Sequence, residues 1–378
     1  LVTPLRLFNR AIEFPILWQS LQLNLPTSGI NDLLIHHGDV IVATQGRALW
    51  VLDAIAPLRH LAGSIHRDGP VLVPPGTAWR LRANQNKDTP LPPEEPRGEN
   101  PPVGAIIDYI LPTETTGSVE IAIRDAAGDT VRTFRSDEEF PPPNAEIYFA
   151  DIWLGPPARP AGGTGHHRFI WNLRIAPPPT LRSSYSIAAV PGRATPVLPQ
   201  GAFVLPGHYE VILTAGGRSV SQPLEVEMDP RVTNRPDDLR ALFDFQQAVT
   251  EALRRSVELS KRTEAIAVNL QALRSEPGPH ALEDEVDRAL QELTMARGSG
   301  DDSVQSIAGA LTSLASDLES VDAHPTAPQK DLLAFEIEHL TRAEARLQRS
   351  GLSLINPAGG RCARGGPAEN LRRRRGGR

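Results

Sequence analysis

The chain has 378 residues, of which 36 are Pro, 30 Gly and one Cys, a length for roughly two to four domains of about 100–200 residues each, which excludes a lone small module. Cys362 on its own can neither close an internal disulfide nor supply a thiolate metal cluster. The net charge of −6 is uneven, because residues 357–378 hold seven Arg and one Glu (+6) and leave −12 on the first 356 residues, so general nucleic-acid binding is excluded for the body.

Residues 18–61 read as short strands: Leu21 with Leu23, then Asp32–His36, Asp39–Thr44 and Ala48–Leu52. Pro26, Gly29, Gly38 and Gly46 separate them as turn residues. About four strands in some forty residues is the size of one β-propeller blade, a unit that needs neighbours to cover both faces. The strip Trp50, Val51, Leu52, Ile55 and Leu58 offers apolar surface for docking on the downstream domain. Residues 67–102 carry nine prolines and little periodicity, which predicts an extended surface linker with a short local strand at Ala78–Arg82.

From Gly104 to Met228 the pattern is again β. The runs are Ala105–Leu111, Ser118–Asp125, Thr130–Phe134, His167–Arg174, His208–Thr214 and Ser219–Met228, with a hairpin turn at Asp125–Asp129. Such a set predicts an immunoglobulin-like antiparallel β-sandwich, with the Pro-rich stretch 176–206 as a long excursion.

After Asp229-Pro230 the period turns helical. Helices are predicted at 237–274 with Asn234 as N-cap, 281–297, 302–321 and 328–349 with Gly351 as the stop. The third repeats Val304, Ile307, Leu311, Leu314, Leu318 and Val321 at steps of three and four, a stripe that faces a core. The expected whole is multidomain β plus α: a terminal blade remnant (1–66), a Pro-rich linker (67–102), the sandwich (103–228), a C-terminal antiparallel helical bundle (229–351) and a disordered Gly/Arg-rich tail (352–378).

No apolar run approaches the roughly 20 residues that span a bilayer, so no membrane insertion is expected. The chain starts at Leu1 without a basic-then-apolar signal, and an upstream portion carrying any export signal is expected to precede it.

The run Trp18–Pro26, followed by Asn31–His36 and Ala43–Asp53, resembles the last blade of bacterial BNR/Asp-box, sortilin-like, glycosyl-hydrolase-annotated propeller proteins. The order downstream is similar too: Ile107–Pro112, Phe169–Arg174, Pro206–Val211, Met228–Val232 and Val321–Thr326. The resemblance covers about 18–356. An Asp box ending at Trp18 would need Ser, Asp and Gly where Ala11, Glu13 and Pro15 stand, so the repeat signature itself is lost. The resemblance implies a secreted or periplasmic fragment of a longer protein whose upstream blades are its partners, with a carbohydrate or protein ligand. It implies a non-catalytic structural or binding region, or alternatively the accessory part of a glycoside hydrolase whose active site lies in those blades.

Within the chain no catalytic, cofactor or metal residue is assigned. A glycosidase needs two carboxylates facing one sugar, and Asp32, Asp39, Asp53, Asp108, Asp125 and Asp151 are read instead as turn caps and strand edges. The pairs His36-His37 and His166-His167 are adjacent on strands, so each points to opposite faces and does not chelate one ion; both are read as surface turns. No Gly-x-Ser-x-Gly or phosphate loop occurs. Trp50, Trp153 and Trp171 suit a sugar platform but are read as core, and Arg372–Arg375 as a solvated tail.

Overall fold

In the computed structural model, residues 20–64, 68–82, 101–112, 117–140, 158–185, 197–275 and 280–350 are described. The first element is an antiparallel three-stranded sheet of β1 (Ile30–His36), β2 (Asp39–Thr44) and β3 (Leu49–Leu52) in sequence order. His37 and Gly38 both take positive φ and close the β1–β2 turn. Leu21 and Leu23 are not a strand; Leu23 lies in a turn with φ 46°. A short helix, α1 (Ala56–Ser64), carries Leu58 of the expected apolar strip, with Ile55 just before it. Ile55 and Leu58 are three apart, a spacing that serves a helix as well as a strip.

The predicted linker is partly structural. Within it β4 (Val71–Leu72) pairs with β6 (Ala105–Leu111), and β5 (Ala78–Arg80) pairs in parallel with β13 (Arg218–Met228). Leu72, Val73, Ala78 and Arg80 are buried. Pro70, Pro74 and Pro75 cannot donate to a ladder, which keeps these strands short and at sheet edges. Residues 83–100 lie outside the described residues.

The remaining strands are β7 (Glu120–Asp125), β8 (Thr130–Arg135), β9 (Gly165–Trp171), the small pair β10 (Ser184–Tyr185) and β11 (Val197–Leu198), and β12 (Gly207–Ala215). They form a five-stranded sheet, β5-β13-β12-β7-β8, and a three-stranded sheet, β4-β6-β9. Alternation sends Ile107, Tyr109, Leu111 and Trp171 of the smaller sheet, and Ile121, Ile123, Val211 and Leu213 of the larger, into one shared core. The polar ends of the large rings are satisfied there: Trp171 Nε1 donates to the Arg174 carbonyl at 3.0 Å and Tyr109 Oη to the Ala161 carbonyl at 2.8 Å. The Pro-rich excursion returns to this core through Phe203 and Val204. Gly201 makes the return possible, since a Cβ there would overlap the carbonyls of Ile175 and Ala176.

Four longer helices complete the described fold: α2 (Pro236–Ser275), α3 (His280–Arg297), α4 (Val304–Asp317) and α5 (Ala327–Arg349). They enclose a second core of Leu253, Ile266, Ile307, Leu311 and Leu340 among others. Arg297 on Glu264 and Arg274 on Asp287 (3.1 Å) show α3 running back along α2. Two expectations are corrected. The first helix begins at Pro236, so Arg235 rather than Asn234 precedes it, with the Arg235 carbonyl accepting from Asp238 and Leu239. The third ends at Asp317, and Val321, expected on its buried stripe, is 52 % exposed. α5 opens on a capping box of Thr326 and Gln329. The chain is thus mixed β plus α, with several antiparallel sheets and five α-helices among the described residues, none of them long and apolar enough to cross a membrane. Residues 1–19, Gly351 and the tail 352–378 lie outside the described residues.

Candidate functional site

Strand β5 alternates buried, exposed, buried, so Ala78 and Arg80 point inward and Trp79 outward. Arg82, two residues on, continues toward the helices. The segment leaving α4 supplies the acids: Glu319 and Ser320 close short turns onto Ser316 and Asp317, and Asp322 is buried before α5 begins. Asp322 accepts from Arg80 Nη2 and from Arg82 Nε (2.7 Å) and Nη2 (2.8 Å). Arg82 also donates to the carbonyls of Glu319 and Val321, clamping the whole turn.

Arg174 enters from the other side. It follows β9, bridges to Phe203 and donates to the Gly201 carbonyl at 2.7 Å. Its guanidinium lies 3.7 Å from the Phe203 ring centre, with Arg82 at 5.1 Å and Arg80 at 5.4 Å around the same ring. Glu319 accepts from the Gln200 backbone N–H, and its second oxygen is 3.6 Å from Arg174. Arg80 Nε and Nη1 and Glu319 Oε2 have no hydrogen-bond partner among the described residues.

Three guanidiniums therefore meet two carboxylates in a buried joint between sheets and helices. Burial pushes the Glu319 carboxyl up to about 7, against the pull of Arg174 and Arg82, and pushes the Arg174 guanidinium down to about 10. Asp322 goes the other way: burial would raise it, but its bonds to Arg82 and the charge of Arg80 hold it below its ordinary value.

A second polar cluster joins the first sheet to the smaller facing sheet. The β6–β9 register sets Asp108 opposite Arg168 and Ile110 opposite His166, which places all three polar side chains on the face away from the core. Asp108 accepts from Arg168 Nε (2.9 Å) and Nη2 (3.0 Å) and sits 2.9 Å from His166 Nε2. Arg168 also reaches the Ala54 carbonyl at 3.4 Å, and Asp39 accepts from the Ala54 N–H at 2.8 Å. Burial, then the charge of Asp39, raises the neighbouring Asp53 carboxyl, with Arg168 opposing. Chemically, Asp108 is held by its arginine and is not a free base.

These positions correct two readings. Asp108 is buried in mid-strand, not at an edge, and His166 and His167 lie within β9, not in a turn. His167 instead lies against the Tyr109 ring. Asp125 does cap its turn, accepting from Ala127 and Asp129 N–H groups, and Asp32 accepts from Leu33 N–H. Trp171 is core, and Trp50 packs on the small cluster of Val40, Val42 and Ile55. Asp151, Trp153, Cys362 and Arg372–Arg375 lie outside the described residues. No group of three or more His, Cys, Asp or Glu among the described residues is placed to hold a metal ion. Sequence reasoning missed the arginine joint. Its signals were the Arg80-x-Arg82 alternation and the Glu319-x-x-Asp322 pair just past the apolar stripe.

No protein-family model, curated protein or solved structure matches the chain.

Proposed function

We propose that the chain is a non-catalytic structural or binding region of an exported propeller protein of the BNR/Asp-box, sortilin-like type. In this reading β1–β3 are the terminal blade remnant, the two facing sheets an immunoglobulin-like sandwich, and the helices a bundle that braces both. One observation carries it. Val40 and Val42 cover one face of the first sheet, yet the opposite face is apolar as well: Leu34, Ile41 and Val51 stand in register across the three strands, and Leu34 (55 %), Val51 (54 %) and Leu49 (70 %) are exposed. A sheet apolar on both faces suits stacking between neighbours, as blades do. The charged joint supports bracing rather than catalysis, since Asp322 is held by Arg80 and Arg82 and Glu319 is tied through one oxygen to the Gln200 backbone N–H.

The chain by itself should therefore self-associate and bind a hydrophobic dye through this face. In sedimentation and dye titrations, the doubly substituted L34K/V51K chain is expected to be monomeric and dark. A wild-type chain that is monomeric and binds no dye at all concentrations would remove the basis of the reading.

A further inference from the structure

A cleft of about 680 Å³ lies between the sheets and α2, separate from the charged joint and independent of the propeller assignment. Its volume falls within the roughly 300–1,000 Å³ of small-molecule sites. One wall is helical. Arg240, Phe243, Gln247 and Thr250 recur every three or four residues on α2 and line the cleft, whereas Leu242, Val249 and Leu253 carry the helical core. Phe243 belongs to neither core, although Phe245 two residues on packs against the helical one. The facing wall is the β7–β8 turn with Tyr209, whose hydroxyl is tied to the Leu205 carbonyl at 2.7 Å and whose ring meets Trp171 edge-on. Pro177–Pro179 and Pro206 form its floor, and lacking N–H groups they cannot pair with a strand to close the gap.

The rim is polar and nearly balanced. The side chains of Asp129, Arg240 and Gln247 make no hydrogen bond among the described residues, so one carboxylate, one guanidinium and one amide stand ready. An anionic ligand meets the charges of Asp125 and Asp129, and a wholly apolar one leaves these planar groups unpaired. A pyranose matches both parts, with a C–H face for aromatic and proline surfaces and vicinal hydroxyls for bidentate groups. We propose that this cleft binds neutral pyranose sugars, the ring lying between Phe243 and Tyr209 and its hydroxyls held by Asp129, Arg240 and Gln247. This deepens the binding part of the proposed function without needing the blade.

The test is saturation-transfer NMR on the full chain with cellobiose, maltose, mannobiose and N,N′-diacetylchitobiose. At least one disaccharide is expected to bind saturably, with F243A and R240A each weakening it roughly tenfold and F243W restoring it. Thermal melts of R240A, at an exposed helix position, guard against loss of fold. Absence of transfer from all four sugars, equal binding by the variants, or displacement of the sugar by a proline-rich peptide overturns the proposal. The L34K/V51K chain should bind sugar as the wild type does, so the two readings fail separately.

Discussion

Glu319 folds into a place where its charge is disfavoured, and the pH dependence of stability stems from that. Its ordinary value of 4.5 rises to about 7 on folding, so between these values the folded chain keeps a proton that the unfolded chain releases. Stability from this group therefore falls as pH rises from about 4.5 through about 7. At about 1.4 kcal/mol per unit, the span is on the order of 3 kcal/mol at most. The E319Q chain keeps an acceptor for Gln200 and has no charge to lose. It should melt close to wild type at pH 5 and above it at pH 8; thermal melts that run parallel across this range would contradict the assignment. Asp322 works in the opposite sense: its contribution is present above its ordinary 3.8 and is lost as pH falls. Removing it in D322A leaves Arg80 buried without its counter-charge, and urea unfolding is expected to show a loss of about 3–5 kcal/mol.

At the scale of elements, α4 decides how far a sequence stripe can be trusted. Val304, Ile307, Leu311 and Leu314 are all buried, as their spacing predicts, and Leu318 is still covered at the cap. Val321 fits the same rhythm and faces water, because the backbone has left the helix to carry Glu319 and Asp322 to the arginines. L311A should cost about 2–5 kcal/mol in chemical denaturation, and V321S should stay within about 0.5 kcal/mol. Equal losses would mean that the stripe continues through Val321. The strands show the converse. β6 was legible to the residue, since Ala105–Leu111 has enough apolar positions to declare itself. β4 was not, for two residues among prolines carry too little pattern, and only pairing with Ile110 defines it; β5 was expected as a local strand at Ala78–Arg82, but its place beside Val226 was not.

For the molecule as a whole, the joint couples two cores that the chain order keeps apart. Arg80 stands on β5 at the edge of the five-stranded sheet, Asp322 lies between the last two helices, and 242 residues separate them. The sheets and helices should accordingly melt together, with a single calorimetric transition in the wild type and two in D322A or R82A. Two transitions in the wild type would show that the joint does not transmit stability. Residues 103–228 alone lack β4 and β5 and expose the edge of β13, so a fragment beginning at residue 68 should be the more soluble of the two.

What the sequence determined by itself were the elements with a long period: β6 to β9, β12 and β13, and the four long helices within a few residues. Periodicity is a local property, and hydrophobic burial makes it visible one element at a time. The tertiary structure alone decided what depends on partners distant in the chain. Arg80, Arg82 and Arg174 are enclosed only by a ring and two acids brought in from distant stretches of the chain. Asp108 reads as an edge acid until β9 sets Arg168 beside it. The cleft exists only because one face of α2 turns from its own core toward a hairpin more than a hundred residues earlier. A buried charge is stable only beside its partner, and for Arg80, Arg174 and Asp108 that partner lies in a distant stretch of the chain.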